Sequence, residues 1–170
     1  ECGEGTAVRL HVWPRDEPTY QAPRLPIHDH VWRLDSHVLT GVITNRIFNT
    51  VSEKSDPTHQ LFDVEYEGDK DVSVLKPSES FVRAKVSEES KYYSGDHYSV
   101  SLDTYHMSQV PESKFTATVV ATSNTKNRAP KVLGPVDCSG TFVYQRETYP
   151  ESTAQRYLEN LSHKISPNTG

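Results

Sequence analysis

Short runs of β-branched and aromatic residues, separated by Pro, Gly, Asp or Ser, occur along most of this chain. This pattern is typical of β-strands, and it lacks the period of an amphipathic helix. Eight runs are predicted to be strands: 7–13, 38–48, 61–66, 72–75, 81–86, 97–102, 115–122 and 141–145. Eight short strands with no helix between them indicate an all-β fold, in which antiparallel sheets close or stack so that their edges are protected.

The C-terminal part of the chain has a different pattern. A helical period places five apolar side chains on one face: Ala154, Tyr157, Leu158, Leu161 and Ile165. Pro150 and Glu151 suit the first turn of such a helix. The pattern predicts one helix at about residues 151–165, packed on the outside of the sheets. Two polar segments, 52–60 and 123–135, are predicted to be loops.

The length and charge of the chain limit the number of its domains and the kinds of partner it can bind. A chain of 170 residues suits one well-packed domain, so residues 1–170 are predicted to form a single domain. The net charge is −5 and the basic residues are scattered among acids, which argues against a nucleic-acid partner. No apolar run approaches the ~20 residues that span a bilayer, and nothing resembles a signal peptide. We therefore expect no membrane partner and a cytoplasmic location.

The two cysteines and the first residue give two further expectations. Cys2 and Cys138 could form one disulfide at most, and a cytoplasmic location favours free thiols. The chain does not begin with Met, which predicts that a segment is missing before residue 1.

The tripeptide His28-Asp29-His30 carries the strongest functional signal in the chain. Two imidazoles at positions i and i+2 of an extended segment point to the same side and can hold one metal ion. Asp29 would point the other way, where it could hold the loop or orient a ligand. His106, predicted to close a later strand, is the best third ligand. Imidazole nitrogen suits Fe, Zn, Cu, Ni and Mn, and the alternative is a pair of solvated loop histidines.

The alternation of side chains along the strand after His30 does not decide whether two further residues bind the metal. If the strand is unbroken, one face holds Leu34, Ser36 and Val38, and the other holds Asp35, His37 and Leu39. Both faces include an apolar residue, so the pattern does not show which one is inside. Asp35 or His37 could therefore join the metal, or both could lie on the surface. The remaining histidines are predicted to have ordinary roles: His11, His59, His97 and His163.

Two segments carry a resemblance to a known family. The first is PIHDH at 26–30, followed by SHVLTG at 36–41, and the second is YSGDHYSV at 93–100, leading to Tyr-His at 105–106. Together they resemble the two motifs of the cupin superfamily, in the branch of thiol dioxygenases such as cysteine dioxygenase. The resemblance covers about residues 9–122. It implies a double-stranded β-helix, or jelly-roll barrel.

The resemblance also implies a metal and a reaction. His28, His30 and His106 would hold one metal ion, Fe(II) before Zn, Ni, Mn or Cu, in a mononuclear non-haem dioxygenase that acts on a thiol or small carboxylic acid. No glutamate follows His30 within the first motif, which suits a three-histidine site. Tyr98 and Ser36 would be pocket groups near the metal, with packing in the barrel as the alternative. The partners expected are a small-molecule substrate and a second copy in a homodimer.

The chain departs from the family in three respects. Its second motif has Ser101 and Asp103 where proline and glycine are usual, and it has no cysteine in residues 3–137 for a thioether cofactor. No arginine is marked as a carboxylate partner among the candidates Arg24, Arg46 and Arg83. Two other functions therefore stay open. One is a small-molecule- or sugar-binding cupin or isomerase without redox chemistry, and the other is a regulatory module without turnover.

Overall fold

The computed structural model of the protein describes residues 6–17, 23–67 and 71–166. Its elements, in chain order, are β1 (Ala7–Trp13), β2 (Ile27–His28), β3 (Arg33–Thr40), β4 (Val42–Ser52), β5 (His59–Glu67), β6 (Val72–Tyr93), β7 (His97–Val100), β8 (Tyr105–Gln109), β9 (Thr116–Ser123), β10 (Lys131–Pro135), β11 (Phe142–Gln145) and α1 (Glu151–Ile165). The predicted all-β fold with one C-terminal helix is confirmed.

The strands form two antiparallel sheets. Sheet A has the order β1-β9-β3-β7, and sheet B has the order β11-β6-β4-β8-β2-β10-β5. Because β5 also pairs with β6, the row from β6 through β4, β8, β2 and β10 to β5 closes on itself. The antiparallel sheets agree with the prediction, whereas the jelly-roll topology implied by the cupin resemblance stays a prediction.

Three clusters of buried side chains pack against the faces of the sheets. Between sheets A and B, Leu34, Val38 and Val120 of sheet A contact Ile43 of sheet B. A second cluster draws side chains from every strand of the closed row of sheet B, and therefore fills its inside: Ile27, Phe48, Leu61, Val82, Tyr105, Met107 and Leu133. A third lies where β5, β6 and β10 meet and contains the fully buried Phe62. The closed row thus has apolar side chains on both of its faces.

Most of the predicted strands exist with somewhat different ends, but the chain is divided into strands differently in two places. The run predicted at 38–48 is two strands, because Gly41 turns the chain from sheet A into sheet B. The runs predicted at 72–75 and 81–86 are one strand, β6, of 22 residues. Pro77 lies between the two predicted runs. It is tolerated because the register of β6 against β5 shifts beside it, and such irregularities accommodate a residue without an N–H.

Three strands were missed in the sequence. The polar segment predicted as a loop at 123–135 contains β10, and β2 and β8 lie outside every predicted strand. His106 was predicted to close a later strand, but it is the second residue of β8, a strand that was not predicted. All three are short, and their pairing partners are distant in sequence, so local pattern was too weak to show them.

The C-terminal helix spans the predicted residues and packs on the outside of sheet A. Leu161 is its one buried side chain, and it contacts Phe115 and Ala117. No helix of the described residues has the length and apolar character needed to cross a membrane. The Cys138 thiol is free, whereas Cys2 lies outside the described residues.

We expect Gly41→Ala to destabilise the protein more than Gly95→Ala. Both glycines have a positive φ, +83° and +93°, so each substitution adds similar backbone strain of about 1–2 kcal/mol. A Cβ on Gly41 would lie 2.6 Å from the carbonyl oxygen of Phe115, whereas a Cβ on Gly95 would meet nothing within 4 Å. Overpacking should therefore add about 1–3 kcal/mol at Gly41 alone. Urea unfolding measures both losses, and equal values would contradict this account.

Candidate metal centre

The three predicted ligands come together at the junction of β2 and β8. His28 ends β2 and lies directly opposite His106 of β8, while His30 follows two residues later in the loop. One nitrogen of each ring lies within 4.8 Å of the others, and the ring centroids are 4.8 to 4.9 Å apart. Within the described part of the chain, these residues form the only group of three or more potential ligands that could hold a metal ion.

Hydrogen bonds fix the orientation of two of the rings. His28 Nδ1 lies 2.9 Å from the carbonyl oxygen of Pro26, and His106 Nδ1 lies 2.9 Å from Asn45 Oδ1. Both partners are oxygen acceptors, so each Nδ1 carries the proton and donates it. Each Nε2 then presents a lone pair, which is the form of imidazole that binds a metal.

The spacing of the nitrogens fits one shared ion. His106 Nε2 and His30 Nε2 are 2.9 Å apart. Two imidazole nitrogens that bind one ion at right angles, each ~2.0–2.1 Å away, are separated by about 3 Å. Without an ion, a proton has to lie between these two nitrogens, because otherwise two lone pairs would face each other. The arrangement can therefore hold a divalent cation through three neutral imidazoles.

The surroundings keep these imidazoles neutral. Burial lowers the pKa of His106 to about 2, and the neighbouring His28 and His30 add to the effect. The pKa of His30 falls to about 3, again mainly through burial, with His28 and Arg9 contributing. Burial also lowers the pKa of His28, which its hydrogen bond to the Pro26 carbonyl partly opposes. Because a metal ligand must be deprotonated, rings of this kind are ready to bind at neutral pH.

Asn45 is a part of the site that the sequence did not indicate. It lies on β4, is 4% exposed, and its Oδ1 accepts hydrogen bonds from His106 Nδ1 and, at 3.3 Å, from Ser108 Oγ. A polar residue between Ile43 and Ile47, on the inward side of a strand, is the signal that could have shown it.

Replacing Asn45 by leucine should weaken metal binding by about 10- to 100-fold. The substitution keeps the branching of the side chain at Cγ but removes the acceptor that orients the His106 ring. Asn45→Asp keeps an oxygen acceptor and should retain affinity. Asn49→Leu, an exposed position on the same strand, is the matched control. Competition titration with a chromophoric chelator measures all three, and wild-type affinity in Asn45→Leu would contradict the orienting role.

Asp29 anchors the loop between the two histidines. It is 4% exposed, and its carboxylate accepts a 2.7 Å hydrogen bond from the Lys131 backbone N–H and a 2.6 Å bond from Arg128 Nη2. The Asp29 N–H in turn donates to the Lys131 carbonyl at 3.0 Å. Of the two roles predicted for this aspartate, the structure supports holding the loop. Arg128 also contacts the exposed Asp103, which ties a third segment to the same point.

A cavity of about 1130 Å³ opens beside the histidines. His28 and His30 line it, whereas His106 lies behind them and is 3% exposed. Its walls combine polar and charged residues with aromatic and apolar ones, among them Trp32, Tyr66, Leu75, Val132, Tyr144 and Tyr149. A molecule in this cavity would reach an ion at the site from the side of His28 and His30.

Tyr98 and Ser36, the predicted pocket groups, lie side by side on neighbouring strands of sheet A. Both are buried, and Tyr98 packs in the core between the sheets and stacks on Tyr92. Burial raises the pKa of Tyr98, which the nearby hydroxyls of Ser36 and Ser108 partly oppose. Neither residue is among those that line the cavity beside the histidines. Their proposed contact with substrate stays a prediction.

The two faces of β3 differ in burial. Leu34, Ser36 and Val38 are the buried face. Asp35 bonds to Arg33 and Ser99 on the other face, and the His37 ring lies 4.1 Å from that of His97. Neither Asp35 nor His37 joins the group that could hold a metal.

The candidate carboxylate partners differ in their surroundings. Arg46 and Arg83 form ion pairs with Glu89 and Asp56 respectively. Arg24 lines the cavity beside the histidines. Arg9 and Arg146, which the sequence did not single out, line the same cavity.

Comparisons of the chain with models of protein families, with curated proteins and with solved structures found no match.

Proposed function

We propose that the protein is a mononuclear non-haem iron oxygenase of cupin fold, in which His28, His30 and His106 hold Fe(II). The observation that carries the proposal is the convergence of three neutral imidazoles whose ligand nitrogens lie within 4.8 Å of one another. A thiol or small carboxylic acid as substrate, a homodimer and a cytoplasmic location belong to the same proposal. Zn, Ni, Mn or Cu would suit the same nitrogens.

Each part of the site has a role in this proposal. Iron would supply the oxygen chemistry, which amino-acid side chains cannot supply. The Pro26 carbonyl and Asn45 hold His28 and His106 in the tautomer that exposes Nε2. Asp29 holds the loop on which His30 stands. The cavity admits a substrate next to two of the ligands and offers it aromatic and apolar side chains as well as polar ones.

The alternative is a small-molecule- or sugar-binding protein, or an isomerase, without redox chemistry. An isomerase that used these histidines as acids and bases would need pKa values near the working pH. Burial lowers the pKa of His30 to about 3 and that of His106 to about 2, which favours ligand roles over proton transfer.

The test combines metal analysis with oxygen consumption. Protein purified without a chelating tag is loaded anaerobically with Fe(II), and its metal content and O₂ uptake are measured with a panel of thiols and small carboxylic acids. We expect about one iron per chain, substrate-dependent O₂ uptake, and loss of both in the His28→Ala/His106→Ala double variant. Wild-type protein that takes up no metal would refute the metal site, and bound iron without O₂ uptake across the panel would favour the non-redox alternative.

A further inference from the structure

Two arginines stand on different walls of the cavity beside the histidines. Arg9 belongs to β1, at the edge of sheet A, and Arg146 directly follows β11, at the edge of sheet B. Both side chains are exposed to solvent. The cavity therefore has a guanidinium group on the side of each sheet.

Arg9 and Arg146 differ from six other arginines of the chain in their ion pairing. Six arginines pair with a carboxylate: Arg15, Arg33, Arg46, Arg83, Arg128 and Arg156. Within residues 6–17, 23–67 and 71–166, Arg9 and Arg146 have no carboxylate within ion-pair distance. Two acids also line the cavity, but Asp29 is already bonded to Arg128, and Glu147 is the residue next to Arg146. The cavity thus carries positive charge not neutralised by ion pairs, in a chain whose net charge is −5.

Aromatic rings hold both guanidinium groups in place. Arg9 Cζ lies 5.2 Å from the centre of the Trp32 ring, and Arg146 Cζ lies 5.6 Å from the centre of the Tyr66 ring. These are cation–π distances, and they position an arginine while its N–H groups stay free to bind a ligand. The Trp32 ring also stacks on the His30 ring at 5.4 Å. The Trp32 ring therefore contacts both Arg9 and His30, a proposed metal ligand.

Exposed tyrosines complete the surface. Tyr66 is 54% exposed and Tyr149 is 45% exposed, and both line the cavity. Aromatic side chains that stay this exposed within a concave surface are typical of a ligand site. The volume of about 1130 Å³ also exceeds what a small thiol or amino acid needs.

We propose that this cavity binds an aromatic carboxylate, whose carboxylate group pairs with Arg9 and whose ring packs against the exposed tyrosines. A guanidinium group binds a carboxylate through two parallel N–H···O bonds, and the ring faces offer the offset stacking that aromatic ligands use. Taking this ligand as the substrate rests on the proposed function. Its binding through Arg9 does not need the metal, so the two can fail separately.

The test is calorimetric titration with 2-naphthoate and its neutral counterpart 2-naphthamide. We expect wild-type protein to bind the carboxylate at least 10-fold more tightly than the amide, and Arg9→Gln to remove that preference. Arg9→Lys keeps the charge and should restore part of it. Arg33→Gln, on the outer face of sheet A and paired with Asp35, is the matched control and should leave it unchanged. Equal affinity for both probes, or an unchanged preference in Arg9→Gln, would overturn the proposal.

Repeating the titration without metal separates this site from the proposed function. Chelator-treated protein and the His28→Ala/His106→Ala variant should keep the Arg9-dependent preference. If they keep it while wild-type protein binds no iron, the anion site stands and the oxygenase proposal falls. If the preference disappears with the metal and ignores Arg9→Gln, the carboxylate binds the metal ion, and the role assigned to Arg9 is wrong.

Discussion

Replacing His106 by alanine should weaken metal binding by at least about 100-fold. The change removes one of three ligands, and altering a residue that merely supports a ligand already costs about 10- to 100-fold. His106 is also the ligand with the best-defined orientation, because Asn45 holds its ring and it is 3% exposed. Competition titration with Fe(II) and Zn²⁺ gives the affinities.

The same variant should lose the stabilisation that metal gives. A ligand that binds only the folded state raises the melting temperature with its concentration, so excess metal should raise that of the wild type but not that of His106→Ala. His163→Ala is the matched control, since this histidine is exposed on the C-terminal helix and is not part of the group that could hold a metal. Metal affinity that survives in His106→Ala, or falls equally in His163→Ala, would remove His106 from the site.

Asp29→Asn should lower the free energy of unfolding by about 2–4 kcal/mol. The substitution keeps the size of the side chain but replaces one carboxylate oxygen by an NH₂ donor. The remaining oxygen cannot serve both the Lys131 N–H and Arg128 Nη2, which now lie 2.7 and 2.6 Å from different oxygens. A buried donor therefore loses its partner. The Arg128 guanidinium, whose pKa is raised mainly by its hydrogen bond to Asp29, loses its buried anion.

Asp103→Asn is the control for this prediction. Asp103 pairs with the same arginine and with Lys126, but its side chain is 45% exposed. Exposed ion pairs contribute about 0–1 kcal/mol, and asparagine tolerates the positive φ of this position. Urea unfolding of metal-free protein measures both variants. A loss in Asp29→Asn no larger than that in Asp103→Asn would show that burial does not strengthen the Asp29 pair.

The grouping of the three histidines could be predicted from the sequence because the signal is local for two of them. His28 and His30 are two residues apart, and extended geometry alone brings such rings together. His106 was found by residue type and family resemblance, although it lies in a strand that the sequence did not reveal. The polar character of Asn45 on an apolar strand face is visible in the sequence, but its bond to His106 could not be predicted. That bond depends on the pairing of β4 with β8, and the two residues are 61 positions apart in the chain.

The fold shows the same division between local and distant information. The helix was predicted correctly because its period and first turn are contained in 15 consecutive residues. By contrast, β10 lies in a polar segment, and it becomes a strand because β5 and β2 pair with it on either side. Two strands were predicted where β6 is one, and β6 stays continuous through Pro77 because β5 pairs with it on both sides of that residue. Where pairing with distant strands decides the conformation, the local sequence alone does not predict it.

The shortness of β2 determines at which stage of synthesis and folding the histidine site can form. Two ligands stand on or beside a strand of two residues, which is held by β8 on one side and by β10 on the other. A nascent chain that has emerged only as far as His106 contains all three ligands, but it lacks β10 and the Lys131 backbone that fixes Asp29. Closing such distant pairs is a late step in folding. The ion would therefore stabilise a finished fold rather than nucleate it, and the order of events would be synthesis, folding and then metal loading.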